Sequence, residues 1–157
     1  YKVLRVLEKN KNREIIASFC VASNVTGIIT KYERISEILR QYNAVICFDA
    51  AASSPYINIP CHLYDAMFTS PHKLLGGPGS CGLLIIRKSL IDTNIAPSFA
   101  GGGTVAYVNK QKQVYQKDIQ IREDAGTPGI SKSPSIKIFF NLSFLSFIKL
   151  KPISFLN

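Results

Sequence analysis

The sequence predicts an α/β fold, a mostly parallel sheet with helices on both faces. Residues 15–22 and 44–48 are apolar runs with little alternation, the pattern of parallel strands covered on both sides. Between them, residues 31–42 carry Tyr32, Ile35, Leu39 and Tyr42 on one helical face. Strand, helix, strand over that length is a right-handed βαβ unit.

Taken in order, residues 1–14 are polar and basic, with Val3, Leu4, Val6 and Leu7 at helical spacing. They read as the tail of a helix that begins before Tyr1. The strand at 15–22 ends in the turn Ser23-Asn24-Val25-Thr26-Gly27. Thr30 and Glu33 then have the spacing of a capping box, with Thr30 as N-cap, and Asn43 is the expected stop. The strand at 44–48 delivers Asp49, and a small-residue loop continues as far as Pro55. Residues 66–69 and 82–86 are two further strands, and 87–92 a short helical or turn segment. Gly101-Gly102-Gly103 marks a sharp loop, 105–108 and 113–115 a small hairpin, and 122–129 a polar loop. From Ile136 the chain is rich in Phe and Leu. The uncharged run 138–148 is far short of the ~20 residues that span a bilayer, so 136–157 is expected as an apolar core helix or a tail foreign to the fold.

A chain of 157 residues suits one domain with a real core, and 46% hydrophobic with 18% charged residues describes a globular class. A formal charge of +9 raises nucleic acid or an anionic membrane as partners. The basic residues are scattered apart from 2–13 and 110–117, and neither cluster has a nucleic-acid motif or stacking aromatics. A solvated basic surface is the expectation, with no nucleic-acid and no membrane partner. Cys20, Cys47, Cys61 and Cys81 have no C-x-x-C spacing and only His62 and His72 could join them, so no metal site is expected. Cys20 and Cys47 lie in apolar runs and read as small buried hydrophobes. No signal-peptide pattern is visible, so the expected compartment is the cytoplasm, with organellar targeting left open by the start at Tyr1.

The chemistry concentrates at Ser70-Pro71-His72-Lys73, where a strand runs out and three of the next six residues are glycine. Lysine there can pair with a phosphate or, desolvated, act as an amine nucleophile toward a carbonyl. In an open α/β sheet ligands bind outside the carboxyl ends of the strands, where Asn24, Asp49 and Lys73 would converge. A carboxylate and a lysine beside a glycine-rich turn suit a cofactor with a cationic ring nitrogen, an aldehyde and a phosphate. Pyridoxal 5'-phosphate has all three. The plainer readings are a surface Asp–Lys pair, Ser70 as a strand-end cap, His72 as a turn residue and Thr127 as an N-cap before Pro128.

In order along the chain stand Asn24-Val25-Thr26-Gly27, Phe48-Asp49-Ala50-Ala51, Ser70-x-His72-Lys73 with Gly76-x-x-Gly79, Gly101-Gly102-Gly103, and Glu123-x-Ala125-Gly126-Thr127-Pro128. This series resembles the class V aminotransferase family, the fold-type I pyridoxal-phosphate enzymes that include the cysteine desulfurases. The resemblance covers about residues 15–135. It implies that 1–135 are the central part of a cofactor-binding large domain. It also implies that Lys73 carries the cofactor as a Schiff base and acts as general base on an amino-acid substrate. Asp49 would hold the ring nitrogen, Ser70 and His72 the phosphate, and Asn24 would lie near the phenolic oxygen. Thr127 would reach the partner subunit's phosphate, in a homodimer with shared active sites.

The chain departs from the pattern at Ala52, where desulfurases usually have a glutamine, which leaves Asn24 alone toward the phenolic oxygen and puts desulfuration itself in question. The upstream segment and the small domain, with its nucleophilic cysteine and carboxylate-binding arginine, have no counterpart here, so a truncated piece of a larger enzyme is expected. Two alternatives stand beside the enzyme. One is a non-catalytic remnant or dimerising fragment without cofactor. The other is a phosphate- or nucleotide-binding module using the glycines at 76–82, though neither G-x-x-x-x-G-K-[ST] nor G-x-G-x-x-G is present.

Overall fold

A computed structural model describes residues 2–74 and 80–126, and the backbone of 146–150. The chain divides into two compact units, Tyr1–Ser70 and Pro71–Asn157.

The first unit is α1 (Lys2–Lys9), β1 (Ile16–Cys20), α2 (Tyr32–Arg40), β2 (Val45–Asp49) and β3 (Ala66–Thr69). Its strands are all parallel, with β2 in the middle: Cys20 of β1 and Phe68 of β3 both stand in register with Asp49. The expected βαβ unit is β1-α2-β2. Its core forms where β2 meets α2. Ile46 and Phe48 are fully buried, and the Phe48 ring stands edge-on to Tyr32 and Tyr64, with centroids 6.1 and 6.4 Å away. Leu39 closes the helix side, and Leu7 of α1 is buried too. A polar clasp fixes the C-terminal end of α2. Arg40 donates to the buried Asp65 at 2.7 Å, the same carboxylate oxygen accepts from the Ile46 N–H at 2.9 Å, and Ser36 donates to the Leu63 carbonyl at 2.6 Å.

α2 ends at Arg40 with Gln41 as its C-cap, short of the expected 42, and Asn43, the expected stop, closes the turn that follows. It adopts φ 52°, the left-handed conformation that Asn tolerates better than most residues.

Three expectations are corrected here. Thr30 does not cap α2: Lys31 occupies the N-cap without a side-chain bond, and the Thr30 hydroxyl donates to the Cys20 carbonyl at 2.7 Å. The strand-end carbonyl competes for the hydroxyl and wins. β1 is not covered on both faces, since Ile16, Ser18 and Cys20 are exposed, with Ile16 at 75%. Cys20 is therefore no core residue, and its thiol donates to the Ala22 carbonyl.

The second unit opens with a single 3-10 turn, Pro71–Lys73, succeeded by β4 (Gly82–Ile86), β5 (Val105–Val108), β6 (Gln113–Tyr115), α3 (Ile119–Glu123) and β7 (Ser146–Leu150). β5 and β6 form the expected antiparallel hairpin. Asp118 caps α3 by accepting from the Ile121 N–H at 3.0 Å, so the expected polar loop begins as a short helix. Arg122 is buried over the Tyr115 ring, 5.1 Å from its centroid, and donates to the Ile95 carbonyl. The Gly101–Gly103 loop is held by the fully buried Thr104, whose hydroxyl bonds the Gly101 carbonyl at 2.8 Å, and by Gly126 N–H on the Gly102 carbonyl at 2.9 Å.

Ser146–Leu150, inside the stretch expected as an apolar helix, is a strand antiparallel to β4. Phe147 and Ile148 are strand formers, and pairing with β4 satisfies backbone groups that a short isolated helix would leave open. The rest of 136–157 and the expected domain boundary at 135/136 lie outside the described residues. Among the described residues no helix is long and apolar enough to cross a membrane.

Candidate active site

The parallel register of the first unit brings three chain ends to one edge. β1 ends at Cys20, β2 at Asp49 and β3 at Thr69, so the segments leaving the three strands all emerge on the same carboxyl side. After β1 the chain makes a tight excursion. Val21 N–H bonds the Asp49 carbonyl at 2.9 Å, Ser23 Oγ accepts from the Val25 and Thr26 N–H groups, and Gly27, at φ 69°, turns the chain back. Thr30 N–H returns to the Val21 carbonyl at 2.8 Å. Asn24 sits exposed at the tip of this excursion, whose base is bonded to the residue that carries the candidate carboxylate.

Asp49 is exposed, and its Oδ1 accepts from the Ala51 N–H at 2.9 Å. Among the described residues Oδ2 carries no hydrogen bond, so the carboxylate keeps one oxygen for a donor. Beyond Asp49, Ala50 N–H bonds the Phe68 carbonyl at 2.9 Å, and the chain turns with Ser53 and Ser54 N–H on the Ala50 carbonyl. Thr69 donates its hydroxyl to Ser54 Oγ at 2.7 Å, and Ser70, half-buried, comes next.

Asn24, Asp49 and Ser70 of the sequence-predicted set thus share one end of one sheet. His72 and Lys73 lie on the 3-10 turn that opens the second unit, both exposed. The desolvation expected of an amine nucleophile is not supplied to Lys73 by the described residues. Thr127 lies outside them. Sequence reasoning missed the Ser54–Thr69 pair and the Thr30 hydroxyl. Each joins a loop to a strand end distant in sequence, and the hint was hydroxyl residues at or near strand ends.

By residue type, the first unit offers an open Asp49 oxygen, suited to a protonated ring nitrogen, and the Ser70 hydroxyl, suited to a phosphate, while the Lys73 amine and His72 imidazole, suited to an aldehyde and a phosphate, belong to the second unit. Cys20 ends β1 in register with Asp49, and its thiol is exposed. Cys47, half-buried within β2, has its thiol pKa raised from the ordinary value by burial and secondarily by the negative charge of Asp65.

The family model for aminotransferase class-V matches residues 3–143. A protein of Aeropyrum pernix named as a probable cysteine desulfurase is 31% identical over 113 residues, which are 69% of this chain and 27% of that protein. One of Staphylococcus epidermidis with the same name is 32% identical over 120 residues, 75% of this chain and 28% of the relative. Among solved structures, the cysteine desulfurase CsdA of Escherichia coli superposes with a TM-score of 0.71 at 26% identity, over 83% of this chain and 32% of that one. The chain therefore spans under a third of the length of each of these relatives.

Proposed function

From a chain that belongs to the class V aminotransferase family and has the fold of its fold-type I members, we propose a segment of a pyridoxal-phosphate-dependent enzyme that acts on an amino acid. The observation that carries this is the Asp49 carboxylate, with one oxygen open, at the end of the central β2, between the strand ends that lead to Asn24 and Ser70.

In this reading Asp49 accepts the ring N–H and keeps that nitrogen protonated. Ser70 and His72 hold the phosphate, and Asn24 donates to the phenolic oxygen, where Ala52 offers no second donor. The Lys73 amine would hold the cofactor at its aldehyde and, as a free amine, would serve as the base toward the substrate's α-carbon proton. The cofactor, when bound, supplies the electron sink that makes that proton acidic. A second subunit completes the site through Thr127, which makes the active form a homodimer. Four free thiols fit a reducing compartment such as the cytoplasm.

The test is addition of pyridoxal phosphate, absorbance spectroscopy, then borohydride reduction and peptide mapping. A cofactor-sized mass fixed on Lys73, and lost in Lys73→Ala, is the expected result. Labelling spread over surface lysines, unchanged in Lys73→Ala, overturns the proposal and leaves a fold without cofactor.

A further inference from the structure

We propose that Thr69 is a positioning residue for this site: its hydroxyl, donated to Ser54, keeps the loop after Asp49 in register with the strand end that carries Ser70. The proposal rests on the proposed function, in which Asp49 and Ser70 address one bound cofactor.

A rigid ring gripped at its nitrogen by one side chain and at its phosphate by another needs those two groups at a fixed separation. A misplacement of about 1 Å can cost ~100-fold in such a constellation. The ladder between β2 and β3 does not reach far enough to fix it. Its last bond is Ala50 N–H to the Phe68 carbonyl at 2.9 Å, after which the two chains part. β2 runs into the turn in which Ser53 and Ser54 N–H both close on the Ala50 carbonyl, at 3.1 and 2.8 Å, while β3 runs on to Ser70.

Past that point, among the hydrogen bonds of the described residues, the tie between the two chains is Thr69 Oγ1 to Ser54 Oγ at 2.7 Å. Ser53, next to it, is only 2% exposed and its hydroxyl has no partner, so it adds no second tether. Thr69 is itself 5% exposed, which removes water as a substitute acceptor.

The loop's position is passed directly to the carboxylate. Ala51, inside the loop, donates its N–H to Asp49 Oδ1 at 2.9 Å, so a shift of the loop turns the group that would meet the ring. On the other chain Thr69 is bonded covalently to Ser70. One hydroxyl pair therefore sets the geometry of both proposed contacts, from residues that touch neither ring nor phosphate.

The experiment compares wild type with Thr69→Val, which keeps the shape and removes the donor, with Thr69→Ser, which restores it, with Ser54→Ala and with the double variant Thr69→Val/Ser54→Ala. Amide hydrogen exchange is read without cofactor, and the Kd and absorbance band with pyridoxal phosphate added. Thr69→Val is expected to speed exchange at residues 50–57 about tenfold while 45–48 keep wild-type protection, and to weaken cofactor binding by a similar factor. Thr69→Ser is expected to restore both, and the double variant to be no worse than the poorer single.

Unchanged exchange in Thr69→Val, a Thr69→Ser protein as impaired as Thr69→Val, or additive losses in the double variant each overturn the proposal. Should Thr69→Val not fold, Thr69→Ser and Ser54→Ala decide on the same readouts. A wild type that takes up no pyridoxal phosphate overturns the cofactor reading, and with it the proposal that Thr69 serves that site. The exchange data then report only whether the tether exists. Normal uptake with unchanged exchange and Kd in Thr69→Val overturns the positioning role alone.

Discussion

Asp49→Asn separates the fold from the chemistry at a single atom. The native Oδ1 accepts from the Ala51 N–H at 2.9 Å, and an asparagine oxygen can do the same, so the turn after β2 keeps its bond. Asp49 is exposed, and the substitution is expected to leave stability within about 0.5 kcal/mol of wild type. The other oxygen carries the proposed charge-assisted bond to a ring N–H. Such bonds contribute about 1.5–3 kcal/mol, and exposure of the carboxylate puts the loss at the lower end, roughly a tenfold rise in Kd. Asp49→Ala is the counterpart, losing both roles: the same weakening of binding and about 1 kcal/mol of stability from the abandoned Ala51 N–H. Pyridoxal phosphate titrations monitored by absorbance, with parallel urea unfolding, distinguish the two. An Asp49→Asn protein that binds with wild-type Kd and an unshifted band would show that this carboxylate does not face the ring nitrogen. The shared strand ends would then lose their proposed ligand.

The core and its thiols carry the remaining expectations. Phe48→Ala removes a fully buried ring that contacts Tyr32 and Tyr64 edge-on, and is expected to cost about 3–5 kcal/mol in urea unfolding, against under about 1.5 for Phe48→Leu. Because burial raises the Cys47 pKa in the folded state, that thiol holds its proton more tightly there than in the unfolded chain. Its contribution to stability is complete below the ordinary thiol range and is lost as pH rises through it, so the unfolding midpoint should fall at alkaline pH and Cys47→Ala should flatten that fall. A short maleimide pulse at neutral pH should modify exposed Cys20 and Cys61 ahead of Cys47, and the reverse order would contradict the burial.

Much of the framework was readable because its signals are local. The strands at 66–69 and 82–86 and the hairpin strands at 105–108 and 113–115 fall where apolar runs bounded by glycine and polar residues put them. Asn43 takes the left-handed conformation that closes the turn after α2, which its own backbone tolerance permits. Thr30 shows the opposite case. Its spacing to Glu33 satisfies the capping pattern, yet the hydroxyl is taken by the Cys20 carbonyl, a group ten residues upstream. Cys20 fails for a related reason: an unbroken apolar run reads alike in a central strand and in one with an open face, and only the strand order tells them apart.

The candidate site divides along the same line. The placing of Asp49 and Ser70 at one end of a sheet was readable from sequence because Asp49 closes an apolar strand, Ser70 follows one, and parallel register aligns such strand ends. The contact that holds them at a working separation could not be found that way. The Ser54–Thr69 bond spans fifteen positions and joins a loop to a strand end, and neither residue type is unusual where it stands. Residue identity at strand ends therefore tells which chemistry is on offer, while the fixity of the offer depends on contacts made after the ladder ends. An altered Thr69 should for this reason leave the sequence signature of the family intact and still weaken the site. A scan for the family's residues would pass such a variant unnoticed.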